Sequence, residues 1–379
     1  MPADNLPEAQ SRLIDDEPSQ SVKVSVLSSE KLASRRRWRH LSDKTAKVSI
    51  AVGGISVIVA ILLIFAYLFY EVVPLFAGAT VDEAASYDLQ DSSASLHLAI
   101  EEQSEMAMRL GDDGVARFFD LESGENAATI AVKVPSGATI TSFALDSEQS
   151  GLFALGLNTG EAVVARYAYD TRFAQLDNRR ILTPKIDYPF GEIPYTLAVD
   201  KPLASIALRT SGENMMLAAT ARGGELSLLK ASKQTSLFAA FDLGGGAEFE
   251  IEERRLSGMT LGGEQLFIDG DRFWLFVIDD EGLARLLSLR TAFTAPNPQF
   301  EVQALLTAGR ANPTDISFLL GGISLLVGDD QGAISQWFLT KRDDNVALEK
   351  IRSFQDSASP VVSLSPEQRR KSFVSVDAQ

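Results

Sequence analysis

Adjacent aspartates are the residues of this sequence best placed to do chemistry. Three such pairs precede a glycine: Asp112-Asp113, Asp279-Asp280 and Asp329-Asp330. Two neighbouring carboxylates can act as a general acid and a general base when their surroundings separate their pKa values. Each pair nevertheless stands shortly before a glycine and between two apolar stretches, where aspartate is a favoured residue of hairpin turns. We therefore interpret the pairs as turn residues without a catalytic role.

The two histidines, His40 and His97, add no metal chemistry, because neither has a histidine or carboxylate partner at the spacing of metal ligands. The strand-like surroundings of His97 favour a structural role. The chain has no cysteine, which excludes disulfides, thiolate zinc sites and cysteine nucleophiles. The glycine-rich stretch 243–248 is not followed by the Gly-Lys-Ser/Thr of a phosphate-binding loop. We therefore expect no catalytic, cofactor-binding or metal-binding residues, and a protein that is not an enzyme.

Charge is distributed unevenly along the 379 residues, whose net charge is −16. Residues 71–379 carry 26 Lys/Arg against 44 Asp/Glu. This acidic excess argues against binding to nucleic acid, and it is unsuited to holding phosphate by general electrostatics. A basic cluster lies near the N-terminus, between residues 31 and 47, and contains Lys31, Arg35, Arg36, Arg37, Arg39, Lys44 and Lys47.

An uncharged stretch, Val48–Tyr70, follows this cluster. As a helix this stretch would rise about 35 Å, enough to cross the roughly 30 Å hydrocarbon core of a bilayer. Ser42 is a candidate N-cap, Pro74 would end the helix, and Tyr67 and Tyr70 suit the membrane interface. A buried soluble helix is disfavoured by so long an apolar stretch, and a cleaved signal peptide by the long segment before it. We therefore predict a retained transmembrane helix over residues 48–70.

The basic cluster sets the predicted orientation, because Lys and Arg close to a membrane span favour the cytoplasmic side. Residues 1–47 are then a cytoplasmic tail, 71–84 a linker, and 85–379 an extracytoplasmic domain. That domain is periplasmic in a cell with two membranes, and the protein belongs to the inner membrane. The arginine-rich stretch could also bind nucleic acid, but membrane topology already accounts for it.

Glycine turns recur along residues 85–379, and their repetition predicts the fold. Each of five short apolar stretches runs into a turn glycine and continues as a strand of alternating apolar and polar residues. The glycines are Gly114, Gly160, Gly224, Gly282 and Gly332. Glycine after a small polar residue supplies the positive φ that tight hairpins require. Their spacing, mostly within the roughly 40–60 residues of a four-stranded repeat, is typical of propeller blades.

The predicted fold class is mainly β: a WD40-like β-propeller of about six blades after a single N-terminal transmembrane helix. The Trp-Asp dipeptide of strict WD40 repeats is missing, so the propeller is a degenerate one. A β-sandwich is the alternative, because its hairpins also need glycine turns. The widest interval, between Gly160 and Gly224, implies an insertion, which we assign to residues 171–195 between two blades.

The end of the sequence repeats the fifth turn. Phe373–Val376 matches the strand that enters that turn, and Asp377–Gln379 matches Asp329–Gln331, so a sixth hairpin begins where the repeat requires one. We expect an incomplete sixth blade, with an unpaired strand over residues 373–376 and a gap facing residues 107–110 of the first blade. On this interpretation the chain is the N-terminal part of a longer protein, truncated at its C-terminus.

Two stretches resemble a known family: 65–79 (FAYLFYEVVPLFAGA) and 98–124 (LAIEEQSEMAMRLGDDGVARFFDLESG). They are similar to the N-terminal part of large bacterial phosphate ABC-transporter permeases of the PstC type. In long members of that family, a cytoplasmic tail and first helix lead into a propeller-like periplasmic domain, and further transmembrane helices follow. The resemblance implies an inner-membrane permease subunit of a phosphate importer. Its implied partners are a second permease subunit, cytoplasmic ATPase subunits and a periplasmic phosphate-binding protein.

The chain departs from that family because no second uncharged stretch of membrane-spanning length follows Tyr70. The longest, residues 316–328, is too short to cross a bilayer as a helix and is predicted to form paired strands. No transport residue can therefore be assigned, and the extracytoplasmic domain would serve docking or regulation. The alternative is a single-pass, membrane-anchored β-propeller that scaffolds the cell envelope. A membrane-anchored enzyme has no residues to support it.

Overall fold

A computed structural model describes residues 29–76, 86, 92–174, 180–233, 249–256, 265–271, 273–304, 311–342, 345–355, 358–367 and 370–378. The chain forms two compact units, Met1–Ala84 and Ala85–Gln379. The segment before residue 29, residues 77–84 of the linker, the glycine-rich stretch 243–248 and Gln379 lie outside the described residues.

The first unit contains one long helix, α1 (Ser29–Val72), followed by a 3-10 turn (Val73–Phe76). Leu41–Val72 is long and apolar enough to cross a membrane, and none of its most apolar window is buried. The helix ends shortly before Pro74, in agreement with the sequence. The N-cap prediction at Ser42 is wrong, because the helix already begins at Ser29. Residues 29–47 are rich in Lys, Arg, Ala and Leu, which favour helix and extend it across the basic cluster.

The described residues of the second unit form six antiparallel sheets, each built from strands that are consecutive in sequence. The first sheet contains β1 (Ser95–Ile100), β2 (Met106–Gly111), β3 (Val115–Asp120) and β4 (Asn126–Ala131). The second contains β5 (Ile140–Leu145), β6 (Leu152–Leu157), β7 (Glu161–Phe173), β8 (Arg180–Asp187) and the short β9 (Tyr195–Thr196), which pairs with β7. The third contains β10 (Leu203–Ser211), β11 (Asn214–Ala221), β12 (Glu225–Lys233) and β13 (Phe249–Leu256).

The remaining sheets follow the same order of strands. The fourth contains β14 (Gln265–Ile268), β15 (Trp274–Ile278), β16 (Leu283–Ser288), a short helix α2 (Leu289–Thr294) and β17 (Glu301–Ala304). The fifth contains β18 (Pro313–Phe318), β19 (Ser324–Asp329), β20 (Ala333–Arg342) and β21 (Asn345–Gln355). The sixth contains β22 (Val361–Pro366) and β23 (Phe373–Asp377). The predicted fold class, a degenerate β-propeller after one apolar helix, is confirmed.

The five predicted glycine turns join the second and third strands of the first five sheets. All five glycines have positive φ, between 74° and 89°. Each donates its backbone N–H to the carbonyl three residues earlier, as Gly282 does to Asp279 at 3.0 Å and Gly332 to Asp329 at 3.2 Å. This is the hairpin geometry for which glycine was expected.

Apolar side chains fill the space between successive sheets. Every residue of β2, β6 and β19 is buried. β6 and β19 each contribute to the clusters on both faces of their sheets. Separate clusters join the first sheet to the second, the second to the third, the third to the fourth, the fourth to the fifth and the fifth to the sixth. Among the described residues, no buried cluster joins the sixth sheet to the first.

The predicted insertion at residues 171–195 is real but does not lie between two blades. Residues 171–173 end β7, 180–187 form β8, and Tyr195 begins β9, so the described part of the insertion lengthens the second sheet itself. The long β7–β8 hairpin therefore explains the wide interval between Gly160 and Gly224.

The strand pairing at the end of the chain differs from the prediction. Residues 373–376 are not unpaired, because β22 supplies an antiparallel partner that places Val376 opposite Ser363 and Val374 opposite Ser365. Residues 107–110 are buried together with the rest of β2. The gap expected beside the first sheet stays a prediction. The exposed apolar residues of the first sheet are on β1.

Candidate functional site

Aspartates of the three acidic pairs accept hydrogen bonds from backbone N–H groups at the turns. Asp279 Oδ1 accepts from the backbone N–H of Leu283 at 2.8 Å, and Asp329 Oδ1 accepts from Ala333 at 2.8 Å. In the first pair, Asp113 Oδ1 accepts from the backbone N–H of Val115 at 3.1 Å. These side chains support the hairpins, as the sequence indicated.

His97 has partners that sequence reasoning missed. Its Nε2 lies 3.5 Å from Glu148 Oε2, and its ring stacks on Phe143 with 5.5 Å between centroids. Tyr167 donates its hydroxyl to Glu148 Oε2 at 3.1 Å. Burial raises the pKa of Tyr167 well above its ordinary value, and the charge of Glu148 adds to this, so Tyr167 stays protonated. The cluster joins the first sheet to the second.

No metal site emerges from these contacts. Within the part of the chain that the structure describes, no group of three or more His, Asp or Glu side chains could hold a metal ion. His40 lies in α1, and its side chain is outside the described residues.

A central channel is a concave feature of the second unit. It has a volume of about 960 Å³, and the first strands of all six sheets line it. Its walls carry both serines and apolar side chains, and its charged lining residues are Asp146, Glu148, Arg209, Asp315 and Glu367. The six first strands, which are distant from one another in the sequence, therefore surround one cavity.

Asp146 ties two of these first strands together. Its Oδ1 accepts from the backbone N–H of Thr210 at 2.8 Å, and its Oδ2 accepts from the Thr210 hydroxyl at 2.9 Å. Arg209 Nη1 donates to the Asp146 carbonyl oxygen at 2.6 Å. The side chains of Asp146 and Arg209 are therefore engaged in hydrogen bonds that connect the second and third sheets.

Asp315 makes the corresponding link between the fifth and sixth sheets. Its Oδ2 accepts from the backbone N–H of Leu364 at 2.6 Å, and its Oδ1 accepts from Ile316 at 2.9 Å. Burial raises the pKa of Asp315, although both N–H donors oppose that rise. A partly desolvated carboxylate therefore anchors the last sheet.

The sixth sheet and the first sheet each present an exposed apolar face. Val374 and Val376 point away from the fifth sheet and are 67% and 54% exposed. On β1, Leu98 and Ile100 point away from the second sheet and are 60% and 54% exposed. The outer edge of β23 pairs with no strand among the described residues. Such surfaces are characteristic of protein interaction sites.

Sequence reasoning found the turns but missed the channel contacts. His97 lies on β1 of the first sheet and Glu148 in the turn between β5 and β6 of the second, far away in the sequence. Asp315 and Leu364 likewise come from different sheets. No local pattern reports such pairs, since only the order of the sheets brings them together.

No protein-family model matches the chain, and no curated protein matches it. Among solved structures, it is similar to the β-propeller domain of Cps50 (Swd1) from Myceliophteria thermophila, with 13% identity and a TM-score of 0.39 over 70% of this chain and 73% of that one. It is also similar to U3-55K, with 12% identity and a TM-score of 0.42 over 76% of each chain. These likenesses concern the fold alone.

Proposed function

We propose that the protein is a single-pass, membrane-anchored β-propeller that docks other proteins at the cell envelope and has no enzymatic activity. The observation that carries this proposal is the exposed apolar surface of α1, of which no part of the most apolar window is buried. A soluble core helix would bury one face. An exposed apolar segment as long as Leu41–Val72 is suited to a lipid bilayer.

The orientation follows from the basic cluster before the span. With residues 1–47 in the cytoplasm and 85–379 in the periplasm, a cytoplasm-active reporter fused after Ala33 and a periplasm-active reporter fused after Ala85 are both active. The same two reporters exchanged between the positions are silent. A cytoplasmic reporter that is active after Ala85 would reverse the orientation.

The docking surface is the apolar face of the sixth sheet together with that of the first. A photo-crosslinking amino acid at Val374 tests it in the full chain in membranes. We expect a discrete crosslinked protein at position 374 and none at Val199, which is similarly exposed, at 62%, but lies outside both faces. Equal crosslinking at both positions, or none at 374, would argue against docking there.

A second candidate is the extracytoplasmic part of the permease subunit of a phosphate importer. It is supported by the resemblance of residues 65–79 and 98–124 and by nothing else in the chain. Its partners would be a second permease subunit, cytoplasmic ATPase subunits and a periplasmic phosphate-binding protein. Deleting the gene would then lower phosphate uptake, and the phosphate-binding protein would be the species crosslinked at position 374. Unchanged uptake would leave the envelope scaffold as the better account.

A further inference from the structure

The fourth sheet carries a feature that the repeat does not require. In the first sheet, the third and fourth strands are joined by the short connection 121–125. In the fourth sheet the same connection takes residues 289–300 and contains the helix α2. Long connections in a repeating fold are common places for binding residues, because the scaffold does not need them.

This connection forms one wall of a pocket of about 640 Å³, a volume in the range of small-molecule sites. The opposite wall comes from β20 and β21 of the fifth sheet, through Leu339, Thr340 and Val346. Phe273 and Trp274 supply aromatic surface. Phe273 is 61% exposed, which is unusual for so large an apolar side chain beside a cavity.

The wall is held in place from outside the pocket. Arg254 of β13 donates through Nη2 to the carbonyl oxygens of Ala295 and Pro296, at 2.8 and 3.0 Å. Pro296 and Pro298 fix the backbone on either side of Asn297. At the other end of the connection, the Ser288 hydroxyl caps α2 by accepting from Thr291. The site is therefore preorganised rather than formed by a loose loop.

The polar lining of the pocket selects the class of ligand. The described lining residues include the amides of Asn297 and Gln299, the hydroxyls of Ser288, Thr291 and Thr340, and one carboxylate, Glu301, but no Lys or Arg. Such a site offers nothing to neutralise an anion such as phosphate. It offers hydrogen-bond donors and acceptors to hydroxyl groups, beside an aromatic surface for an apolar ring face.

We propose that this pocket binds a neutral carbohydrate. The apolar face of a sugar ring packs on Phe273 beside Trp274, while its hydroxyls exchange hydrogen bonds with Asn297, Gln299 and Glu301. This activity is separate from protein docking on the sixth and first sheets, and either can fail without the other.

The test is calorimetric titration of the full chain in a detergent without a sugar headgroup. Chitotetraose and maltotetraose are the probes, and inorganic phosphate is the negative control. We expect saturable binding of at least one saccharide and none of phosphate. Phe273→Ala should weaken binding about tenfold or more, because it removes the stacking surface. Phe173→Ala is the matched control, since Phe173 is 62% exposed on β7, and it should leave binding unchanged.

The double variant Asn297→Ala/Gln299→Ala is a second test should Phe273→Ala unfold the sheet. It should weaken binding about threefold to tenfold through lost hydrogen bonds. Absence of saturable binding of both saccharides up to about 10 mM would overturn the proposal. Saccharide binding that neither pocket variant changes would also overturn it. The same holds if the pocket binds a proline-rich peptide and neither saccharide.

Discussion

Two junctions between neighbouring sheets can be compared: that of the second and third sheets, and that of the fifth and sixth. Both are built from the same repeat, yet they differ in the number of side chains they bury. The first buries a cluster of seventeen described residues that includes Leu208, Met215 and Leu217. The second buries five, among them Leu364 on β22. Both also use an aspartate of the channel to bind the backbone of the next first strand.

The difference shows that the local hairpin signal and the packing of a sheet are separate properties. β19 and β23 have similar sequences, and both lie second in their sheets. β19 is buried throughout, whereas three of the five residues of β23 are exposed. The neighbouring sheets, and not the strand sequence, therefore determine how much each blade contributes to stability.

Two matched leucine truncations measure this difference directly. Leu217→Ala should cost about 4 kcal/mol, because a fully buried side chain leaves a cavity among rigid neighbours. Leu364→Ala should cost about 2 kcal/mol, since its cluster is smaller and can collapse around the lost atoms. Denaturant unfolding of the full chain in micelles gives both values. Equal costs would mean that the two junctions are equally well packed.

Two of the turn glycines differ in how closely their surroundings are packed, so alanine substitutions at them should differ in cost. At Gly160, with φ +89°, an added Cβ would lie 2.3 Å from the Ala198 carbonyl oxygen, so Gly160→Ala should cost about 2–4 kcal/mol. At Gly114, with φ +74°, the nearest atom is Ile140 Cδ1 at 3.4 Å, so Gly114→Ala should cost about 1 kcal/mol of backbone strain alone. Thermal melts of the two variants compare them. A larger loss at Gly114 would contradict the packing argument.

The sequence was sufficient to predict the fold because its turns are local. A glycine after a polar residue fixes a hairpin over a single turn, and five such turns imply stacked sheets. The sequence was not sufficient for the start of α1, because a basic helix continues into an apolar one without a break. It also misplaced residues 171–195, since an insertion can lengthen a blade or separate two blades with the same composition.

The candidate sites depended still less on local sequence. Glu148 reaches His97 only because the second sheet packs on the first. The pocket beside α2 needs residues from the fourth and fifth sheets at once, and nothing in the stretch around Asn297 predicts that Phe273 and Trp274 line the same pocket. Contacts between sheets have no periodic signature in the chain.

A buried ion pair at the junction of the first and second sheets gives a pH-dependent prediction. Arg180 Nη2 on β8 lies 2.5 Å from Glu101 Oε1, whose side chain is nearly buried. Burial alone would raise the pKa of Glu101, but hydrogen bonds from Arg180 and Gln103, with the charge of Arg180, outweigh it and lower the pKa. Glu101→Gln should therefore cost about 1–2 kcal/mol at neutral pH.

The sign of its pH dependence follows from the lowered pKa. The wild-type advantage is fully present above the ordinary glutamate value of 4.5 and is lost as the pH falls through the lower value of the folded state. Unfolding curves of both proteins between neutral and acidic pH should therefore converge at the acidic end. A difference that stays constant with pH would show that the charge of Glu101 does not contribute.

Asp315 should show the smallest effect, and the opposite dependence on pH. Because burial raises its folded pKa, ionisation favours the unfolded state, and its contribution is most favourable below the ordinary aspartate value of 3.8. Asp315→Asn keeps one acceptor and removes the charge, so at neutral pH its stability should lie within about 1 kcal/mol of the wild type. Relative to the variant, the wild type should lose stability as the pH rises through the raised pKa of Asp315.

Asp315→Ala removes both acceptors and is the control. It should speed amide exchange in β22 and β23 at every pH, whereas β10 to β12 stay protected. Faster exchange in all sheets alike would mean that the sixth sheet does not open separately from the rest.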